Sequence, residues 1–349
     1  MSYKRLDPED VLISAESVTA PAWSGNTVQL TTFFTSSAQE ASSSEDYYLD
    51  VYQTGSTVDN AEVQFSVLYG DYKGSGSLLY DSAVPGYSPS SVNYSTYKNL
   101  ILEDKSATSK FKFQGGSAGA TVESEFIYII NINRARYKQN MLPTTFELKL
   151  RGFEDGSPFI RTLRNEIPSS LVFNDAGRVY NIISGSLTDS TDQTPPAAKN
   201  TYGNWGLFQP DIGVIVLNGN LLGESLGTGG LNLTTNRGSN TDNNNQRTFF
   251  QAISGSGASS FRLSSDETLT SNFVFVRARN SEFNYSTNPS ILTGSGELRY
   301  TYLVDNPRTY ITTVGLYNDN NDLLAVAKLS RPLLKDSTRE ALIRVKLDY

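Results

Sequence analysis

The sequence predicts a mostly β protein, with two or more β-sandwich-like domains, long polar loops and little helix. Three observations carry that expectation. Apolar residues recur at every second position through much of the chain, which is the period of a half-buried strand. Aromatic residues are abundant, with 20 Tyr and 17 Phe, and such side chains favour strands. Runs rich in Gly, Ser and Asn separate the alternating segments, while apolar stripes at helical spacing are scarce.

Taken in order, the elements follow from local chemistry. Asp7 caps Pro8, Glu9 and Asp10, so one helical turn is expected there. Val28, Leu30, Thr32 and Phe34 alternate with polar or outward residues, as do Val63, Phe65, Val67 and Tyr69, and then Phe146, Leu148 and Leu150. Phe126 to Ile132 is apolar on both faces and suits a central, doubly covered strand. Leu171 to Phe173 and Arg178 to Ile183 read as a hairpin across Asn174 to Gly177. Ile212 to Leu217 followed by Asn218 and Gly219 is the strongest short hairpin signal in the chain, because both turn residues tolerate positive φ.

Phe273 to Arg279, Glu297 to Leu303, Thr309 to Tyr317, Leu323 to Leu329 and Ala341 to Leu347 complete the strand candidates. Thr309 to Tyr317 and Leu323 to Leu329 should pair through Asn318 to Asp322. Pro332 should then interrupt the ladder, since proline donates no backbone hydrogen bond. In the last strand, Ile343, Val345 and Leu347 should face a core, with Arg344 and Lys346 outward. Ala38 to Asp46, Asp189 to Asn200 and Gly223 to Asn245 read as long polar loops.

A chain of 349 residues exceeds one ordinary domain. Pro168 breaks the strand pattern, and Asp305 to Pro307 marks a second interruption. The expected division is therefore residues 1–167, 168–305 and 306–349. The last segment would be a hairpin plus a strand that completes a sheet.

Composition narrows the function classes. The chain holds 0 Cys and 0 His, so thiol and imidazole chemistry, disulfides and ordinary zinc sites are excluded. A net charge of −7 argues against nucleic acid as the main partner. The first residues lack the apolar core of a signal peptide, and Phe126 to Ile132 is far too short to span a membrane. The expectation is a cytosolic compartment, or exit by a route other than secretion, such as lysis. Gly223 to Gly230 lacks the Lys-Ser/Thr of a phosphate loop and reads as a plain loop. Asn318 to Asp322 reads as a hairpin turn rather than a calcium loop.

Asp46, Asp50, Asp71, Asp81, Asp211 and Glu224 are acids beside Tyr- or Gly-rich segments, but no spacing selects a hydrolytic pair among them. No catalytic residue, metal ligand or cofactor is expected, and the chain reads as a non-enzyme. Tyr87, Tyr94 and Tyr97, set among serines in Gly86 to Tyr97, form either an aromatic contact surface or rings packed over their own loop.

The run from Thr309 to Tyr349 resembles the ending of virion structural proteins from the tail-gene clusters of contractile-tailed phages, those of cyanobacterial myoviruses above all. Ala278 to Ser286 with Asn288 and Pro289, Trp23 to Phe34, and Ile132 to Thr144 are similar to the same pattern. The resemblance implies a baseplate wedge component or a neighbouring tail protein, with an assembly role and no catalysis. It implies partners among other tail proteins, further copies of the chain in the particle, and a place in the virion tail. The alternative is a carbohydrate- or receptor-binding module of the tail, suggested by the Tyr- and Ser-rich loops. A tail-associated depolymerase is a third option.

Overall fold

A computed structural model describes residues 3–36, 48–74, 89–115, 120–155, 157–168, 170–187, 202–224, 230–235, 237, 243–255, 260–286 and 288–348. The first half carries β1 (Val11–Pro21), β2 (Gln29–Leu30), β3 (Phe34–Thr35), β4 (Leu49–Tyr52), β5 (Val63–Asp71), α1 (Ser90–Ile101), β6 (Phe111–Gln114), β7 (Thr121–Ser124), β8 (Phe126–Ile132), β9 (Asn140–Met141), β10 (Glu147–Glu154) and β11 (Ser157–Asn165). The second half carries β12 (Val172–Asn174), β13 (Gly177–Ser184), β14 (Gly206–Gln209), β15 (Val214–Asn218), α2 (Gly219–Gly223), α3 (Asn243–Ser254), β16 (Phe261–Arg262), β17 (Ser264–Ala278), α4 (Tyr302–Asp305), β18 (Thr309–Tyr317), β19 (Leu323–Lys335) and β20 (Ala341–Asp348). The protein is mostly β, as the alternation predicts. Its described residues fall into two compact units, 18–267 and 1–17 with 268–349.

In the larger unit one sheet runs β2-β16-β10-β11-β13-β14-β15-β8-β5-β4-β3, with β12 attached to β13. Its two end strands are joined by residues 31–33 alone, a reach of at most about 14 Å from Leu30 to Phe34. The sheet must therefore curl round until its ends approach each other. Its concave side closes over one core that takes Phe65, Tyr128, Ile130, Phe146, Leu163, Trp205 and Phe208, together with Phe249 and Ile253 of α3.

The central strands show why Phe126 to Ile132 carries no polar face. In β8, Tyr128, Ile130 and Ile132 enter that inner core, whereas Ile127 and Ile129 enter a second core on the other side. In β15, Ile215 and Leu217 point inward while Val214 and Val216 point to the second core. The second core is covered by α1 and by β6, through Tyr94, Tyr97, Ile101, Phe111 and Phe113. Burial of large apolar side chains at about 1.5–3 kcal/mol each makes this double covering the main stabiliser of the centre. Helix α1 comes so close to β5 that a side chain at Gly70 would meet the Tyr94 backbone nitrogen at 2.9 Å.

In the smaller unit, β17 lies between β1 and β20, and eight residues of β17 pair with all of β20. A separate ladder joins β18 to β19. Val274, Val314 and Val345 form its buried centre, with Ile343, Leu347, Leu316 and Ala327 half-buried around it. Ile343, Val345 and Leu347 thus face inward, and Arg344 and Lys346 are exposed, as expected. Near its end, Lys335 is fully buried, and its ammonium donates to the carbonyls of Asn280 (3.1 Å) and Asp336 (2.9 Å) and to Asn284 Oδ1 (2.6 Å).

Several expectations are corrected. Asn218 and Gly219 do not turn a hairpin. Asn218 caps α2 through a bond from the Asn220 backbone (3.2 Å), and Gly219 lies against Phe126, where a Cβ would approach to 2.3 Å. Residues 90–97 belong to α1 and not to a loop. Glu297 to Leu303 is not a strand: only a single bridge, Leu292 to Leu298, and the short helix α4 occur there. Residues 28–34 split into β2 and β3 at opposite ends of the sheet path. Pro332 does interrupt the ladder as expected, but the strand continues past it to Lys335. The pairing shifts from Thr313 with Lys328 to Ile311 with Leu333, and residues 329–332 bulge opposite Thr312.

The expected divisions at 167/168 and 305/306 do not coincide with the two units. Strands β11 and β12 flank residue 167 and both pair with β13, while 268–305 belongs with 306–349. Three expectations hold in detail. Pro8–Asp10 is a helical turn with Asp10 accepting from the Asp7 backbone (3.0 Å), β12 pairs with β13 across Asn174 to Gly177, and β18 pairs with β19. The loops 38–46 and 189–200 lie outside the described residues, apart from Asp189's neighbours up to 187.

Candidate functional site

The larger unit bears a groove of about 450 Å³ on the side of the second core. One wall is the end of α1 and the chain after it (Ile101, Leu102, Glu103, Asp104). A second is the ribbon of β6 and β7 (Lys110, Lys112, Gln114, Thr121). The third is the β12–β13 hairpin with its approach (Glu166, Pro168, Val172, Phe173, Asn174, Asn181).

The hairpin is held at its base. Asp211 accepts from the Arg178 backbone (2.7 Å) and from Arg178 Nε (3.0 Å), so one carboxylate fixes both main chain and side chain. Burial pushes the Asp211 carboxyl up, but the Arg178 bonds outweigh it and leave it below its ordinary value. Gly177 has φ +107°, and a Cβ there would meet Asp211 at 2.5 Å, so the turn needs glycine twice over. At the tip, Asn174 Oδ1 accepts from the Ala176 backbone (3.0 Å), and Lys105 pairs with Asp175 at 2.9 Å across the groove mouth.

What the hairpin presents is apolar. Ile167 is 70% exposed and Phe173 61%, with Leu171 and Val172 also more than half exposed. The hairpin thus carries large apolar exposure beside a cleft. Strand β12 also pairs with β13 alone among the described residues, so its far edge is open.

The charges are unevenly engaged. Lys110 is bound to Glu125 at 3.0 Å, and Lys112 lies 3.9 Å from Glu123. Glu125 also takes Lys73 (2.9 Å) and Arg237 (3.1 Å). Its bond from Lys73, then those from Lys110 and Arg237, bring its carboxyl down to about 2. Among the described residues, Glu103, Asp104 and Glu166 have no cation within ion-pair distance. Asp104 accepts from the Ser106 backbone (3.0 Å), which holds its carboxyl below the ordinary range. Glu166 accepts from the Asn181 amide (3.2 Å). The groove therefore joins apolar side chains and an open strand edge to carboxylates that hold no ion pair among the described residues.

Two of the three tyrosines weighed as a contact surface or as rings packed over their own loop can be placed. Tyr87 lies outside the described residues. Tyr94 is fully buried in α1: its hydroxyl donates to the Ser124 carbonyl (2.7 Å) and accepts from the Phe111 backbone (3.0 Å). Tyr97 is 8% exposed, and burial pushes both phenols up to about 12. These two rings are core, packed beneath the groove and not offered to a partner.

Of the other acids, those among the described residues have local partners. Asp50 accepts from Ser66 Oγ (2.7 Å), and Asp71 is clamped by Arg237 (2.7 and 2.9 Å) and Tyr69 (3.1 Å). Asp211 belongs to the hairpin clamp. Asp46 and Asp81 lie outside the described residues. Of the Gly223 to Asn245 stretch, Leu231 and Leu233 are buried in the inner core. Asn318 Oδ1 accepts from the backbone of Asn320 (3.0 Å) and Asp322 (2.8 Å), which is turn chemistry. Among the described residues, no group of three acids gathers to hold a metal ion, and no helix is long and apolar enough to cross a membrane.

The smaller unit has exposed apolar strands of its own. Leu12 and Ile13 of β1, Leu324 and Val326 of β19 and Leu342 of β20 are all more than half exposed. A two-stranded ladder such as β18–β19 is marginal by itself. Comparison with known protein families, curated proteins and solved structures returned no match.

Proposed function

We propose that this chain is a structural and assembly component of a contractile phage tail, with the baseplate wedge its expected place, acting through protein–protein interfaces and without catalysis. The observation that carries the reading is the β12 hairpin. An open strand edge, with Leu171, Val172 and Phe173 more than half exposed beside a groove, is a surface made to be covered by another polypeptide. The exposed strands of the smaller unit add to the support. The resemblance of Thr309 to Tyr349 to tail-protein endings supplies the kind of particle. Its partners in this reading are other tail proteins and further copies of itself.

The test is its location in the particle. A density map of intact virions should place the chain in the tail, with the β12 hairpin against a neighbouring subunit. A position away from the tail would remove the reading. Specific binding of the isolated protein on a glycan array, abolished by Phe173→Asp, would favour the receptor-binding alternative instead.

A further inference from the structure

We propose that the groove beside β12 takes an extended segment of a partner polypeptide that alternates apolar with basic residues, added as a new strand on the open edge of β12. The proposal rests on the assembly reading and names the chemistry of the partner. Three observations point the same way. Strand β12 uses one edge for β13 and leaves the other open, so the backbone of an incoming strand finds hydrogen-bonding groups already in register. Val172 and Phe173 stand on opposite faces of β12, both exposed and both lining the groove.

The third observation is charge. Glu103, Asp104 and Glu166 line the groove without an ion-pair partner among the described residues, whereas its two lysines lie against Glu125 and Glu123. A strand with period two carries its apolar residues on one face and its charges on the other. A basic strand would face three carboxylates that hold no ion pair, and an acidic strand would be repelled by them. A sugar has no backbone to complete the edge of β12. The clamp of Asp211 on Arg178 holds the hairpin in place before the partner arrives, so little ordering remains to be done on this side.

The experiment uses the full chain and fluorescence anisotropy with two labelled nonapeptides. One alternates valine with lysine, and the other alternates valine with glutamate. The lysine peptide should bind, and the glutamate peptide should bind at least tenfold more weakly. Phe173→Asp and Glu103→Lys should each weaken the lysine peptide at least tenfold with the melting temperature unchanged, since both side chains lie at the surface of the groove. Equal binding of the two peptides, or binding indifferent to Phe173→Asp, would overturn the proposal. Sedimentation that shows self-association lost in Phe173→Asp, with no peptide bound, would overturn it in favour of a second copy as occupant. If neither peptide binds but Phe173→Asp protein no longer enters tails, the basic strand falls and the assembly role stands. If the lysine peptide binds as described but the chain is absent from purified tails, the strand site stands and the assembly role falls.

Discussion

Replacing Lys335 by methionine should loosen the smaller unit. Its ammonium is fully buried and, among the described residues, has no carboxylate partner. Instead it satisfies two backbone carbonyls and the Asn284 amide oxygen at 2.6–3.1 Å. Methionine keeps the length of the stem, so the packing loss is small and the experiment reads the hydrogen bonds. Bonds to a charged donor contribute roughly 1.5–3 kcal/mol each. Two of the three acceptors are only part-buried, so water can replace the donor there, and the variant no longer buries a charge. The net cost is about 2–4 kcal/mol, a large share of a typical 5–15 kcal/mol. In native-state hydrogen exchange, amides of β18 and β19 should exchange about 30- to 1,000-fold faster, while those of β8 and β15 stay unchanged. Exposed Lys328→Met is the control. If Lys335→Met exchanged within twofold of the parent, the buried ammonium would contribute nothing and the reasoning would be wrong.

Deleting residues 340–349 should abolish folding of the smaller unit. The deletion removes Val345 and half-buried Ile343 and Leu347, at roughly 1–3 kcal/mol each, together with the whole ladder to β17, and an unchanged melting profile would refute this. Alkaline titration should show Tyr94 and Tyr97 ionising near pH 12 in the folded protein. Because those phenols ionise first in the unfolded chain, their contribution to stability is complete below about pH 10 and is lost as pH rises toward 12. Absorbance at 295 nm that rose fully by pH 10.5 in the folded state would contradict their burial. Glu125 has the opposite sign: its carboxyl is lowered to about 2, so its contribution is present above about pH 4.5 and fades as pH falls toward 2. The difference in melting temperature between the parent and Glu125→Gln should shrink over that interval, and a difference constant from pH 7 to 2.5 would exclude the ion cluster as its source.

Strands were legible wherever one face is buried and the other is not, as in β10 and β20, or where both faces are buried, as in β8. Helix α1 was hidden because Ser, Asn, Thr and Tyr are indifferent helix formers and its net amphipathicity is weak. The spacing Tyr94, Tyr97, Ile101 was the signal present, three and then four residues apart on one buried face. Asn218 and Gly219 misled because the residues that turn a hairpin also cap a helix. What decided between them was the approach of Phe126, ninety residues away. The β12–β13 hairpin itself was readable from its turn. Its role at a groove was not, because the walls come from residues 101–121, 166–181 and 207, and only the sheet order brings them together.

The curl of the large sheet also governs when it can form. Leu30 pairs with Phe261, more than two hundred residues later, so the first edge of the sheet has no neighbour until almost the whole unit has been synthesised. At about 5–20 residues per second, that wait is roughly ten to fifty seconds. Closing so long a loop is slow, and β2 and β10, the two strands that β16 joins, each keep an unpaired edge in the meantime. Hairpins such as β10–β11 can form as they emerge, but the end of the sheet made by β16 and β2 is added late. Nascent chains of this protein therefore pass through an open-edged stage, and chaperones that mask strand edges should raise its yield more than they would for a protein built from local pairings.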